Sequence, residues 1–157
     1  MIRHSVMTGW ADGPLKRYVD DARIQLAVLM HSSGQVVAQH GFQRSLDVQT
    51  ACALSAAINA TADKLGELVE GVPFRGLHYT GKDRQIHIAQ LHAGGSLLLL
   101  LSVFDRESSL GIVQLYLDEL RQSLDSTAPQ PQDAAPALAE DFERDLNSNL
   151  AALFGRR

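Results

Sequence analysis

The chain has 157 residues, with 14 basic and 18 acidic side chains and a formal net charge of −4. That length suits one ordinary domain with a real core, and the acidic balance argues against a generic nucleic-acid binder. A single cysteine, Cys52, excludes an internal disulfide framework and fits a reducing compartment. No apolar stretch approaches the roughly 20 residues of a membrane-spanning helix. The opening MIRHSVMTGW lacks the apolar core of a secretory signal. The expectation is a soluble, cytoplasmic chain with no membrane or nucleic-acid partner.

In chain order, residues 14–22 read as a short helix, with Pro14 tolerated in its first turn. IQLAVLMH (24–31) and QVVAQH (35–40) read as strands joined by the tight turn Ser32-Ser33-Gly34. Asp47 is placed to cap a long helix that runs to about Val69, where Gly71 and Pro73 end it. Three strands follow over 74–79, 84–91 and 97–104, with Gly81 and Gly94-Gly95 in their turns. The last contains five consecutive leucines, Leu97 to Leu101, and stops at Asp105. A strand with one wet face alternates apolar and polar residues, so an unbroken apolar run marks a central strand covered on both faces. Asp105 is expected to cap a final helix carrying Ile112, Val113, Tyr116, Leu117, Leu120 and Leu124 at helical spacing. The sum is an α/β sandwich, a five-stranded antiparallel sheet with helices on both faces, over residues 9–125.

Residues 126–137, STAPQPQDAAPA, hold three of the five prolines and no large apolar side chain. Such a segment cannot bury enough surface to offset its ordering entropy and reads as a flexible linker. Beyond it, 138–155 reads as an amphipathic helix: Leu138, Phe142, Leu146, Leu150 and Leu153, with Phe154, recur at three- to four-residue steps. A short helix of this kind is marginal in water and needs a groove for its stripe.

On the long helix, Ala51, Leu54, Ile58, Ala62, Leu65 and Val69 are expected to face the core. The other side carries Ala53, Ala56, Ala57 and Ala60, then Asp63, Lys64 and Glu67. A helix over a sheet normally shows water a charged face. Small side chains here admit close approach of a partner, although alanine is also simply the best helix former.

Catalytic chemistry is not expected. His78, His87 and His92 fall on neighbouring strands, but their spacing matches no compact zinc pattern. Ser108 and Ser109 lack a glycine elbow and a base, and read as capping or solvated residues. Cys52 suits a buried filler better than a nucleophile. No Gly-rich turn is followed by a lysine opening a helix, so the chain is not itself a P-loop nucleotidase. No polar constellation points to a small-molecule site. No cofactor, metal or catalytic residue is assigned.

Three stretches, "VLMHSSGQVVAQHG", "ALSAAINATADKLGELV" and "VFDRESSLGIVQLYL", together with "DLNSNLAALFG" after the linker, resemble the roadblock family of dynein-light-chain-like domains. Within it the chain is most similar to the MglB-like branch, partners of the Ras-like small GTPase MglA in bacterial polarity and gliding motility. The resemblance covers nearly all of residues 10–124. It implies a homodimer joined sheet edge to sheet edge and a GTPase docked on the paired helices; the strand over 74–79, bounded by Pro73 and Gly81 and guarded only by Arg75, is the expected edge. It also implies that GTP hydrolysis is accelerated by remodelling the GTPase's own elements, without an arginine finger from Arg106. The expected contacts with an MglA-like GTPase are Ala53, Ala56, Ala57, Ala60, Lys64 and Glu67, with Leu146, Leu150, Leu153 and Phe154 as a second contact that promotes nucleotide exchange. The rival expectation is a roadblock-type adaptor in a motor or signalling scaffold that leaves catalysis unchanged.

Overall fold

A computed structural model describes residues 2–42 and 44–129, the backbone alone for 2–8, and beyond them only positions 144, 147 and 148. The elements are α1 (Ile2–Ala22), β1 (Leu26–His31), β2 (Val36–Gly41), α2 (Val48–Glu70), β3 (Gly76–Thr80), β4 (Gln85–Ala93), β5 (Ser96–Phe104) and α3 (Leu110–Thr127). The five strands form one antiparallel sheet in the order β2-β1-β5-β4-β3. No helix among the described residues is long and apolar enough to cross a membrane.

The leucine run is the central strand. β5 pairs with β1 on one side and β4 on the other, and its side chains alternate between two apolar layers. Leu98, Leu100 and Phe104 meet α1 and α3, while Leu99, Leu101 and Val103 meet the α2 side. Both faces are dry, so no polar alternation is required. Ser102 is the exception, buried on the α1/α3 face and bonded at 2.7 Å to the hydroxyl of Tyr18. Burial, partly offset by that bond, pushes the Tyr18 phenol up to about 12.

Four expectations are corrected. The first helix is longer, beginning at Ile2 with Pro14 inside it. Proline there forfeits one backbone bond, but the buried stripe Ala11, Leu15, Tyr18, Ala22 runs across it and packing carries the helix through. The second concerns the cap of α3, which is Ser109, whose Oγ accepts from the Ile112 amide at 3.3 Å. Asp105 instead accepts from the Glu107 amide at 2.9 Å and from the Gln25 side chain at 3.0 Å, tying the turn to the start of β1. The third concerns Ser108, which is buried and donates to the Ala22 carbonyl rather than being solvated.

The fourth correction matters most for function. The buried side of α2 is Cys52, Ser55, Asn59, Ala62 and Gly66; of the expected core face Ala62 is buried and Ala51 and Ile58 pack against the core as partly buried residues, but the leucines and Val69 do not. At the end of the helix the return loop crosses so closely that a Cβ on Gly66 would lie 2.7 Å from the Phe74 nitrogen and the Val72 oxygen. Only small side chains let α2 lie that near the chain, so the larger apolar residues are turned aside. Leu54 is 59 % exposed and Leu65 53 %, and Val69 is also exposed. The helix ends themselves follow expectation. Asp47 accepts from the Thr50 amide and hydroxyl, bonds that lower its carboxyl pKa, and Gly71 closes the helix at φ 79°.

The final helix ends at Thr127 and Ala128 is buried, so order extends past Asp125 into the proline-rich stretch. The tail contacts Leu146, Leu150, Leu153 and Phe154, like most of 130–157, lie outside the described residues.

Candidate docking surface

β3 is an edge strand. It pairs only with β4, and nothing among the described residues bonds to its outer side. The opposite edge, β2, has α1 packed along it. The side chains of β3 are Gly76, Leu77, His78, Tyr79 and Thr80, without a charge to deter pairing; Arg75 lies just before it. Unpaired, uncharged edges are templates for another strand.

Beside that edge, α2 and β3 enclose an open apolar groove of about 370 Å³. Ala57, Ile58, Thr61 and Leu65 line it from the helix, Leu77 and Tyr79 from the strand and Phe74 from the loop before it. The small residues buried beneath α2 explain the groove, since they leave Leu65 exposed on that flank of the helix and Ile58 only partly covered by the core. Sequence reasoning missed this flank because it took the largest side chains for the core. The legible signal was the stripe Cys52, Ser55, Asn59, Ala62 and Gly66, whose 3- and 4-residue steps are helical.

The alanine side of α2 adjoins the groove, with Ala57 on the border between them. Ala53, Ala57 and Ala60 are exposed, whereas Ala56 is half-buried against the α2-side core. Lys64 and Glu67 are exposed and paired at 3.5 Å, a contact worth little in water. Asn59 and Asp63 both accept from the Gln90 side chain of β4, at 3.1 and 2.6 Å, which pins the helix to the sheet. Arg106 occupies the exposed turn between β5 and α3.

The surface offers shape rather than chemistry. Cys52 is fully buried, and burial raises its thiol pKa, so it is a poor nucleophile. Among the described residues no three His, Cys, Asp or Glu side chains come together as metal ligands.

Several solved structures share this fold. Myxococcus xanthus MglB matches 78 % of this chain over 94 % of its own length, at 22 % identity and a TM-score of 0.65. The gliding protein MglB of Thermus thermophilus matches 77 % over 90 % of its length, at 22 % identity and a TM-score of 0.68. A roadblock/LC7 domain from Streptomyces avermitilis matches 73 % over 91 % of its length, at 19 % identity and a TM-score of 0.57. No family profile and no curated protein matches the chain. The likeness is one of fold, a roadblock or MglB-type sandwich.

Proposed function

We propose that this chain, built on the roadblock and MglB-type fold, is a non-catalytic regulator that self-associates and activates a Ras-like small GTPase. The observation that carries the reading is the exposed apolar flank of α2 beside an unguarded β3 edge. A second copy is the fitting occupant. Antiparallel pairing of two β3 strands about a two-fold axis would satisfy both edges and bring the Leu54, Ile58 and Leu65 flanks of two α2 helices together. The alanines at 53, 57 and 60 would remain on the outer side of the paired helices. Their short side chains suit close approach of a GTPase there, with Ala56, Lys64 and Glu67 at the margin.

The chain supplies no P-loop of its own, so its effect on hydrolysis falls on the partner's catalytic elements. Arg106 is assigned no finger role. The tail stripe Leu146, Leu150, Leu153 and Phe154 is proposed as a tethered second contact that promotes nucleotide exchange. With α3 ending at Thr127 and Ala128 buried, the tether is left to residues 130–137; a flexible chain of that length would span roughly 16 Å on average, and tethering raises the effective concentration of a weak contact.

The test is capture of Ras-like GTPases from the same organism, loaded with a non-hydrolysable GTP analogue or with GDP. Preferential capture of the GTP form supports the reading. Equal capture of both forms, with no change in hydrolysis, would assign the chain to the adaptor class instead.

A further inference from the structure

On the α1/α3 face of the sheet, β3, β4 and α3 frame a cleft of about 460 Å³ with a distinct lining. Arg75 and His78 reach it from the β3 edge, His87 from β4, and Gln114, Asp118 and Arg121 from α3. In a chain of net charge −4, this cleft sets two guanidinium groups against one carboxylate. No sequence pattern marks the cluster, because its members come from three separate elements.

Two details indicate a site built for a ligand. Arg121 is fixed rather than floating: one terminal nitrogen lies 3.0 Å from the Asp118 carboxylate and the other donates to the Gln90 carbonyl at 3.1 Å. Those bonds engage two of the five N–H donors a guanidinium carries. His87 is only 5 % exposed, and its Nδ1 is buried with no hydrogen-bond partner among the described residues. The ring is therefore closed to a ligand at Nδ1. Its Nε2 edge lies against Gly76, where a Cβ would come 3.1 Å from Nε2 and 3.3 Å from Cε1. Glycine at this point of β3 keeps the imidazole edge open to the cleft that both residues line.

We propose that the cleft binds a small molecule through an oxyanion group, a phosphate monoester or a carboxylate, held by Arg75, Arg121 and the Nε2–H of His87. The proposal stands independently of the GTPase reading. Guanidinium groups match the geometry of such oxyanions and form charge-assisted bonds to them. The volume falls in the range of small-molecule sites, roughly 300–1,000 Å³, so it exceeds what a bare anion fills. Phe74 and Leu117 supply apolar wall for the rest of the molecule.

The electrostatics of the cleft agree. Burial, and then the nearby His78 and Arg121, lower the His87 pKa below its ordinary value. The groups facing that ring are His78 from β3, Arg75 just before it, and Asp118 and Arg121 from α3. Ser102 lies opposite it on β5 and connects to Tyr18 of α1. An anion beside Nε2 opposes the arginine charge and returns the pKa upward.

The experiment is a nuclear magnetic resonance titration of the full chain with inorganic phosphate and, separately, succinate, each against chloride at matched ionic strength. The expected result is a saturable shift of the His87 ring signals with a raised His87 pKa, caused by at least one of the two anions and not by chloride. A response to phosphate alone or to succinate alone identifies which oxyanion the site takes. Arg121→Gln should weaken that binding about tenfold or more, and Gly76→Ala should weaken it with both arginines in place. If Arg121→Gln fails to fold, Arg75→Gln on the exposed edge carries the same expectation. Shifts no different from chloride, or undiminished binding by the folded arginine variants, would overturn the proposal.

Discussion

Replacing Leu65 by alanine perturbs the proposed self-association at one point in each protomer. Leu65 is 53 % exposed, so about half of its surface is already out of water in the single chain. Fully burying a leucine contributes about 2 kcal/mol, which leaves about 1 kcal/mol for a second copy to realise. A two-fold interface repeats every contact, so the dimer should lose about 2 kcal/mol, or roughly 30-fold in Kd. Folding of the single chain should weaken by only about 1 kcal/mol, for the half already covered. Sedimentation equilibrium over a dilution series reads the first quantity, and urea unfolding at fixed concentration of dissociated chain reads the second. A dimer constant unchanged by Leu65→Ala in a folded chain would refute the assignment of the α2–β3 groove to self-association.

Gly66→Ala should destabilise the fold by about 1–3 kcal/mol despite alanine's better helix propensity, because its Cβ would strike backbone atoms at 2.7 Å; chemical denaturation measures this. Ala60→Arg, on an exposed position, should lower GTPase binding and stimulated hydrolysis with almost no change in Tm, whereas Arg106→Ala should leave most of the stimulation in place. Deleting residues 138–157 should preserve dimerisation and activation while reducing complex affinity and any nucleotide exchange. Because the folded His87 titrates below 6.5, the unfolded chain takes up that proton first. Its contribution to stability is therefore full above about pH 6.5 and falls as the pH drops below that value toward the folded pKa. His87→Gln should flatten that part of the pH–stability profile.

The sheet was legible because β5 announces itself. Leu97 to Leu101 leave no polar face, so both sides had to be covered, and the glycine-marked turns on either side set the strand count. The caps of α2 were equally readable, since Asp47 and Gly71 act locally. The orientation of α2 was not. Hydrophobic periodicity points the largest residues inward, but here the return loop leaves room only for Gly66, Ser55 and Asn59 lie on the buried side, and Leu54 and Leu65 are exposed, Leu65 in the groove beside β3. That orientation leaves an apolar flank that the single chain covers only in part, which is the flank the proposed self-association uses. The cap of α3 was misplaced for a local reason. Asp105 can form a turn as readily as a cap, and the bond it makes to Gln25, 80 residues away, is invisible in sequence. The oxyanion cleft was hidden in the same way, since Arg75, His87 and Arg121 meet only after the sheet and α3 are assembled.

The most direct test of the proposed regulation is single-turnover GTP hydrolysis by a captured Ras-like GTPase, measured with and without the full chain at concentrations above the dimer constant. Hydrolysis should be accelerated by the chain, Ala60→Arg should abolish most of the acceleration, and Arg106→Ala should retain it. A GTPase that binds the chain and hydrolyses GTP at its unassisted rate would contradict the proposed role.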